Sequence, residues 1–338
     1  MLAYAHGEPV MRAKIRSQPE DFFVEEIDSF PASGSGEHLL LSIEKREKNT
    51  AEVAQKIARW AGVADSAVSY AGLKDRNAVT RQRFSVWLPR KTAPDLAGLA
   101  QEGIRLLASH WHSRKLPRGA LAGNRFVLCL REVAGEREAI EARLGRIAAQ
   151  GVPNYFGEQR FGRDGENLQK ARAMFAGRRV KRELRSILLS AARSEIFNQI
   201  LATRVQAGNW NQALEGEVFM LAGSQSIFGP EPLDAAIQAR LAAFDIHPTG
   251  ALWGRGELRS QQPLAALETR IAAQYPDLCE GLEQAGLKQE RRSLRLMPEN
   301  FTWQWLAPEV LQLAFQLPPG SYATTVLREL LEKNTASI

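Results

Sequence analysis

The sequence predicts an α+β protein of two lobes, on three observations. Period-two alternation of apolar residues marks several strands before residue 150. Long helical patterns with few clear strands fill the stretch from Gly151 to about Pro298, and alternation returns in Phe301-Thr302-Trp303-Gln304-Trp305. If that last segment completes the first sheet, the middle lobe is an insertion. A length of 338 residues suits two lobes, because single hydrophobic cores stop growing near about 250 to 300 residues.

Phe22 to Ile27 mixes aromatic, branched and acidic residues as a strand does, and Leu39 to Ile43 forms another after the Gly/Ser-rich turn at Ser33 to Gly36. Between Asn49 and Trp60 the period becomes helical: Asn49 and Glu52 are spaced as a capping box, and Val53, Ile57 and Ala61 share a stripe that stops at Gly62. Ala67 to Ala71 and Gln82 to Leu88 read as strands around a polar loop from Gly72 to Arg81. A further strand covers Ile104 to His110, and the apolar run Phe126 to Leu130 is that of a strand buried on both faces. Glu136 to Gln150 carries Ile140, Leu144 and Ile147 at helical spacing. The middle lobe holds a long helix at Ser186 to Gln206 and turn-rich joints at 162–165 and 223–229. After Pro298, Phe301 to Trp305 and Val310 to Leu317 form a hairpin, followed by a helix from Ser321 to Lys333.

Forty-four Lys and Arg against 38 Asp and Glu give a net charge of +6, a modest version of the footprint of a phosphate-binding surface. Cys129 and Cys279 are too few for a disulfide framework or a thiolate metal site and fit a reducing compartment. The first residues lack the apolar stretch of a secretory signal, and no run of about 18 apolar residues occurs. A soluble, cytoplasmic protein without membrane contact is expected. No phosphate-binding G-x-x-x-x-G-K-[ST] loop and no G-x-G-x-x-G opening a helix is present, so nucleotide-driven and hydride chemistry have no visible cradle. His110 and His112 fall on one strand face without a third metal ligand at a familiar spacing. The histidines also lie apart from any Ser or Cys nucleophile motif. A carboxylate enzyme or a binder remains.

The polar loop concentrates the chemistry. By residue type alone Asp75 is a turn former, yet Lys74, Arg76, Arg81 and Arg83 surround it with cations, which keep a carboxylate ionised and draw in a phosphodiester backbone. The run Tyr70-Ala71-Gly72-Leu73-Lys74-Asp75-Arg76-Asn77-Ala78-Val79-Thr80-Arg81-Gln82 resembles the signature of the TruD family of tRNA pseudouridine synthases. So do Pro19-Glu20-Asp21-Phe22, Gly123-Asn124-Arg125-Phe126, Asn154-Tyr155-Phe156-Gly157-Glu158-Gln159-Arg160-Phe161-Gly162, Ser190-Ala191-Ala192-Arg193-Ser194 and Leu317-Pro318-Pro319-Gly320-Ser321-Tyr322-Ala323-Thr324, which extend the likeness to the C-terminus. Departures are Tyr322, where phenylalanine is common, and Arg16, where lysine also occurs.

The resemblance implies a mixed, largely antiparallel sheet of pseudouridine-synthase type as catalytic domain, residues 1–150 and 299–338, with an inserted helix-rich α/β TRUD domain over 151–298. It implies that a uridine of tRNA, uridine-13 of the D-stem in a tRNA-Glu type, is detached from its ribose, turned and rejoined through C5. No metal, cofactor or protein partner is implied, and the chain would act as a monomer. Asp75 would act at the ribose, as nucleophile on C1′ or as base removing the 2′ proton. Arg16 would be its ion-pair partner and Asn124 its hydrogen-bond partner. Phe22 and Phe126 would stack against the flipped-out uracil, beside Lys74 as a further substrate-binding residue. The basic stretches 114–118 and 178–182 would touch tRNA phosphates. Two other readings stand beside this one: a non-catalytic binder of structured RNA, and a nucleoside hydrolase or base glycosylase. The latter usually needs two facing carboxylates where this loop offers one.

Overall fold

A computed structural model describes residues 2–100 and 102–332. The chain divides into two compact units. One comprises Val10–Leu144 with Pro298–Ala323 and the segment from Leu331; the other comprises Gly145–Met297 with Thr324–Leu330 and the residues up to Pro9.

The first unit opens with β1 (Arg12–Lys14), β2 (Phe22–Asp28), β3 (His38–Arg46), the helix α1 (Thr50–Ala61), β4 (Val68–Tyr70), β5 (Val79–Trp87), β6 (Ile104–His112) and β7 (Leu121–Ala134), and runs into α2 (Arg137–Gln150). Several strands outrun the apolar patterns that mark them, because pairing continues through polar residues. Glu25 lies opposite Arg125 where β2 meets β7, and β5 starts early because Phe23 and Val24 of β2 pair in parallel with Val79 and Thr80. Helix α1 lays Val53, Ala54, Ile57 and Ala58 into one core with Leu41, Ile43, Phe84 and Val86. It ends at Gly62, whose φ of +64° a residue with a Cβ adopts only under strain. The expected capping box does not form. Asn49 occupies the cap position without a side-chain hydrogen bond, and Glu52 instead lies 4.0 Å from Lys48 and 3.5 Å from Lys56.

The second unit contains β8 (Val152–Pro153), α3 (Glu166–Phe175), α4 (Arg182–Gln206), β9 (Phe219–Leu221), β10 (Ile227–Phe228), α5 (Ala235–Ala242), β11 (Ile246–Leu252), α6 (Leu264–Ala272), α7 (Pro276–Gln284), β12 (Glu290–Ser293) and β13 (Arg295–Leu296). It is helix-rich, as expected, but also holds an antiparallel sheet of order β10-β9-β11-β12 and the pair β8-β13. Apolar alternation hides these strands because they are short and bury charges. Arg291 on β12 meets Glu268 at 2.7 Å with both side chains almost wholly inaccessible, and Arg204 meets Glu217 at 3.0 Å in the same way.

The chain then returns to the first sheet as the hairpin of β14 (Glu299–Ala307) and β15 (Val310–Leu317). The sheet has the order β14-β15-β7-β2-β5-β3-β6, with β1 on β7 and β4 on β5. Strands β2 and β5 run parallel and the other described neighbours antiparallel. This is the mixed, largely antiparallel sheet of an α+β fold. The expected terminal helix is shorter than Ser321 to Lys333: α8 covers Ala323–Leu327. Beyond it Leu331 bridges to Met11, and the Glu332 N–H donates to the Met11 carbonyl at 3.1 Å, which takes backbone groups that a helix needs for itself. Lys333 lies outside the described residues. Among those residues, no helix is long and apolar enough to cross a membrane.

Ile57 is 1% exposed within the core shared by α1 and the sheet. Ile57→Ala is expected to destabilise the protein by about 2 to 5 kcal/mol, as large-to-small core substitutions do. A shift of the urea midpoint checks this, and an unchanged midpoint would show that α1 does not hold the sheet.

Candidate active site

Asp75 sits in the loop between β4 and β5, and its side chain is 44% exposed. The loop is held from several sides. Thr50, at the first position of α1, accepts a hydrogen bond from the Lys74 backbone N–H at 3.0 Å and donates to Gln82 Oε1 at 2.9 Å. Gln82 Nε2 in turn donates to the Gly72 carbonyl at 3.1 Å. Lys45 Nζ donates to the carbonyls of Asp75 and Lys48 at 2.8 and 2.7 Å. The Ala78 N–H closes on the Arg76 carbonyl at 2.9 Å, and the Gly119 N–H on the Ala71 carbonyl at 2.8 Å.

Arg16 meets the acid directly, Nη2 to Oδ2 at 2.8 Å. Its guanidinium carbon also lies 4.1 Å from the centroid of the Phe22 ring. The guanidinium thus bridges the carboxylate and an aromatic face, a use of a planar cation for which an ammonium is a poor substitute. Arg16 has a left-handed backbone, φ +57°, a conformation that costs of order 1 to 3 kcal/mol in a residue with a side chain and often accompanies function. Phe22 meets Phe126 edge to face at 6.4 Å, and Phe126 stacks on Phe315 at 5.5 Å. Both Phe22 and Phe126 are buried.

The predicted site residues therefore gather within the first unit, though not all in the expected contacts. Arg16, Phe22 and Asp75 form one chain of contacts that continues to Phe126. Asn124 lies on β7 opposite Glu26. No hydrogen bond joins it to Asp75 among the described residues, and its Oδ1 is buried without a partner. Lys74 turns its amine away from Asp75 into a buried ion pair with Glu26 at 2.6 Å. Glu26 also accepts from the Arg83 N–H at 3.2 Å. Burial raises the Glu26 pKa above its ordinary value, with Lys74 opposing that rise.

Arg81 is likewise engaged with Glu44 and Glu25, and Arg83 with Asp28, whereas Arg76 is exposed and makes no ion pair among the described residues. The cationic ring of the sequence is thus largely neutralised by β2 and β3, because extended strands bring their acids across from β5. Arg16 is left as the cation paired with Asp75. His112 is no ligand of a cluster. It is buried, stacks on Phe30 at 5.0 Å and accepts the Ser33 N–H at Nδ1. Among the described residues no three His, Cys, Asp or Glu side chains are grouped to hold a metal ion.

Lys45, Thr50, Gln82 and Glu26 were not singled out by the sequence. Lys45 carried a signal: on β3 it follows Leu41 and Ile43 at period two, so a lysine stands where an inward apolar residue is due. Burial pushes its amine down from 10.5 to about 8, with the Asp75 charge opposing. Because the folded value lies below the ordinary one, the unfolded chain holds this proton more tightly between the two. The stability due to Lys45 therefore rises as pH climbs through that window and is lost as pH falls through about 8. In urea unfolding, the stability of the parent protein relative to Lys45→Met is expected to improve from about pH 7 to about pH 10. A difference independent of pH would contradict a buried, titrating amine.

Comparison with known proteins identifies the family. The family profile described as tRNA pseudouridine synthase D (TruD) matches residues 1–170 and 164–330. The chain is 56% identical to the tRNA pseudouridine synthase D of Xanthomonas axonopodis pv. citri (strain 306), over 98% of this chain and 94% of that protein. It is 50% identical to the tRNA pseudouridine synthase D of Methylococcus capsulatus, over 98% and 94%, and 48% identical to that of Hydrogenovibrio crunogenus, over 98% and 96%. A crystal structure of a candidate tRNA pseudouridine synthase D from Methanosarcina mazei shares the fold, with a TM-score of 0.75 at 22% identity over 97% of this chain and 95% of that one. With a profile match along nearly its whole length and relatives of this identity, the chain belongs to the tRNA pseudouridine synthase D (TruD) family.

Proposed function

We propose that this chain isomerises uridine-13 in the D-stem of tRNA, of the tRNA-Glu type, with Asp75 acting at the ribose. Membership of the family makes it a tRNA pseudouridine synthase, an isomerase. The observation that carries the role of Asp75 is its ion pair with Arg16 at 2.8 Å on a loop tied down by buried groups. A carboxylate that must approach phosphates is repelled by them unless a cation lies close, and Arg16 supplies one that is itself only 15% exposed.

In the reaction the N1–C1′ bond of the uridine breaks and a C5–C1′ bond forms, the C5 proton passes to water, and N1 takes up a proton. Asp75 serves either as the nucleophile at C1′ or as the base at the 2′ position. Reaching the base requires flipping the nucleotide out of its helix. On this reading the everted uracil is received against Phe22 and Phe126, buried rings in mutual contact, with the Arg16 guanidinium over Phe22. Asn124 offers a buried, unpartnered acceptor. Such an atom costs about 1 to 3 kcal/mol to leave unsatisfied, a cost relieved when the uracil imide N–H donates to it. Lys74 holds the loop through Glu26 while its backbone borders the acid. No cofactor takes part.

We assign catalysis to segments 1–150 and 299–338 and the grip on folded tRNA to the inserted segment 151–298. In the latter, Arg178, Arg179 and Arg185 line a cleft of about 350 Å³ suited to phosphates. The protein acts as a monomer in the cytoplasm, where its tRNA substrate lies.

The test uses tRNA tritiated at uracil C5, since isomerisation releases that label to water. The unaltered protein is expected to release it, and Asp75→Asn to release it slower by about a thousandfold or more while still binding tRNA. Equal release by both would remove Asp75 from the chemistry, and free uracil in the mixture would point to a hydrolase instead.

A further inference from the structure

A cleft of about 620 Å³ lies in the first unit between α1, β4 and the connection from β6 to β7. Asp75 and its partners do not line it. Its size falls within the range of about 300 to 1,000 Å³ usual for small-molecule sites, and its lining combines three features that together suit a nucleotide.

One is a platform. The Arg118 guanidinium carbon sits 4.9 Å from the centroid of the Tyr70 ring, which braces against Phe84 edge to face at 5.8 Å. A planar cation already seated on an aromatic ring extends its stack when a base is laid on it, a contact that tolerates any base. Another is charge: Lys115 joins Arg118 against the single acid Asp65, and the Lys115 amine reaches the Ser66 carbonyl at 3.3 Å. The third is an unspent polar atom, Ser69 Oγ, buried and without a hydrogen-bond partner on the strand that forms one wall. A purely structural cleft has no need of an arginine on a tyrosine and an unsatisfied hydroxyl together.

We infer that this cleft takes one nucleotide of the RNA strand other than the uridine presented to Asp75. Its base lies on the Arg118–Tyr70 stack and its phosphate lies against Lys115. The inference rests on the proposed tRNA substrate and adds a second anchoring point to it. The cleft also communicates with the loop. The Gly119 N–H, next to Arg118, bonds the Ala71 carbonyl at the start of the Asp75 loop. Thr50, one residue before the lining Ala51, holds the Lys74 N–H. An occupied cleft thus steadies both anchors of the loop.

Gln55, exposed on α1 and lining the cleft, allows the cleft to be filled without disturbing the core. Steady-state tritium release from labelled tRNA is measured for the parent protein and for Gln55→Trp and Arg118→Ala, each shown to unfold at the parental midpoint. For both variants KM for tRNA is expected to rise about tenfold or more, with kcat of Gln55→Trp kept within about twofold. In a second arm, 4-thiouridine-substituted tRNA is photocrosslinked to Asp75→Asn protein. Adducts are expected on the segments 66–70 and 115–118, and their loss when Gln55→Trp is added.

Unchanged KM in both variants, with an active parent protein and no adduct on those segments, overturns the inference and leaves the proposed reaction standing. A parent protein that releases no tritium overturns that reaction itself. Titration with adenosine and uridine 5′-monophosphates separates the sources. Tight binding of a free mononucleotide that Gln55→Trp abolishes, with KM for tRNA unmoved, assigns the cleft to a free nucleotide and also overturns the inference.

Discussion

Lys45 is a charged side chain with no exposure to solvent, and the two carbonyls that it satisfies, those of Asp75 and Lys48, locate the loop on which the candidate chemistry depends. A buried ammonium that loses its acceptors carries a penalty of several kcal/mol, so loop conformations that withdraw the Asp75 carbonyl are disfavoured. Thr50 and Gln82 add fixed hydrogen bonds on the other side, and the Lys74–Glu26 pair pins the residue before the acid. The carboxylate is thereby exposed while its backbone is not free. That combination suits a group that must meet a substrate in one geometry.

Charge is distributed less simply than the basic composition suggests. Acids on β2 and β3 take up Lys74, Arg81 and Arg83, and Arg16 pairs with Asp75, while Arg76 stays exposed. This division keeps the strands under the loop electrically balanced. Lys115 and Arg118 line the cleft by α1 instead, and Arg178, Arg179 and Arg185 line a cleft of the second unit. Arg16 also stacks on Phe22, which couples the electrostatics of the acid to the aromatic cluster of β2, β7 and β15.

Much of the first sheet was legible because its strands alternate cleanly, as in Phe84, Val86 and Leu88, and because α1 keeps its apolar stripe until Gly62. The Arg16–Asp75 pairing followed from resemblance, since nothing in a gap of 59 residues announces a contact. What stayed hidden has physical causes. Strand β12 of the second unit buries Arg291 against Glu268 of α6 where an apolar residue is expected, so its alternation is masked by an ion pair. The Asn49–Glu52 capping box and the long final helix failed because other partners won: the i,i+4 neighbours Lys48 and Lys56 for Glu52, and Met11 for the chain at Leu331 and Glu332. The partners of Lys74, Arg81 and Arg83 were invisible because strand register, rather than spacing along the chain, selects them.

The contacts of Lys45, Thr50 and Gln82 order the Asp75 loop before RNA arrives, and amide hydrogen exchange of the RNA-free protein tests this most directly. The Lys74 and Ala78 amides, bonded to Thr50 Oγ and the Arg76 carbonyl, are predicted to exchange slowly, as amides paired within β5 do, and Thr50→Val is predicted to release Lys74 first. Exchange of both amides at the rate of an unstructured loop, with protection gained only on adding tRNA, would contradict the account.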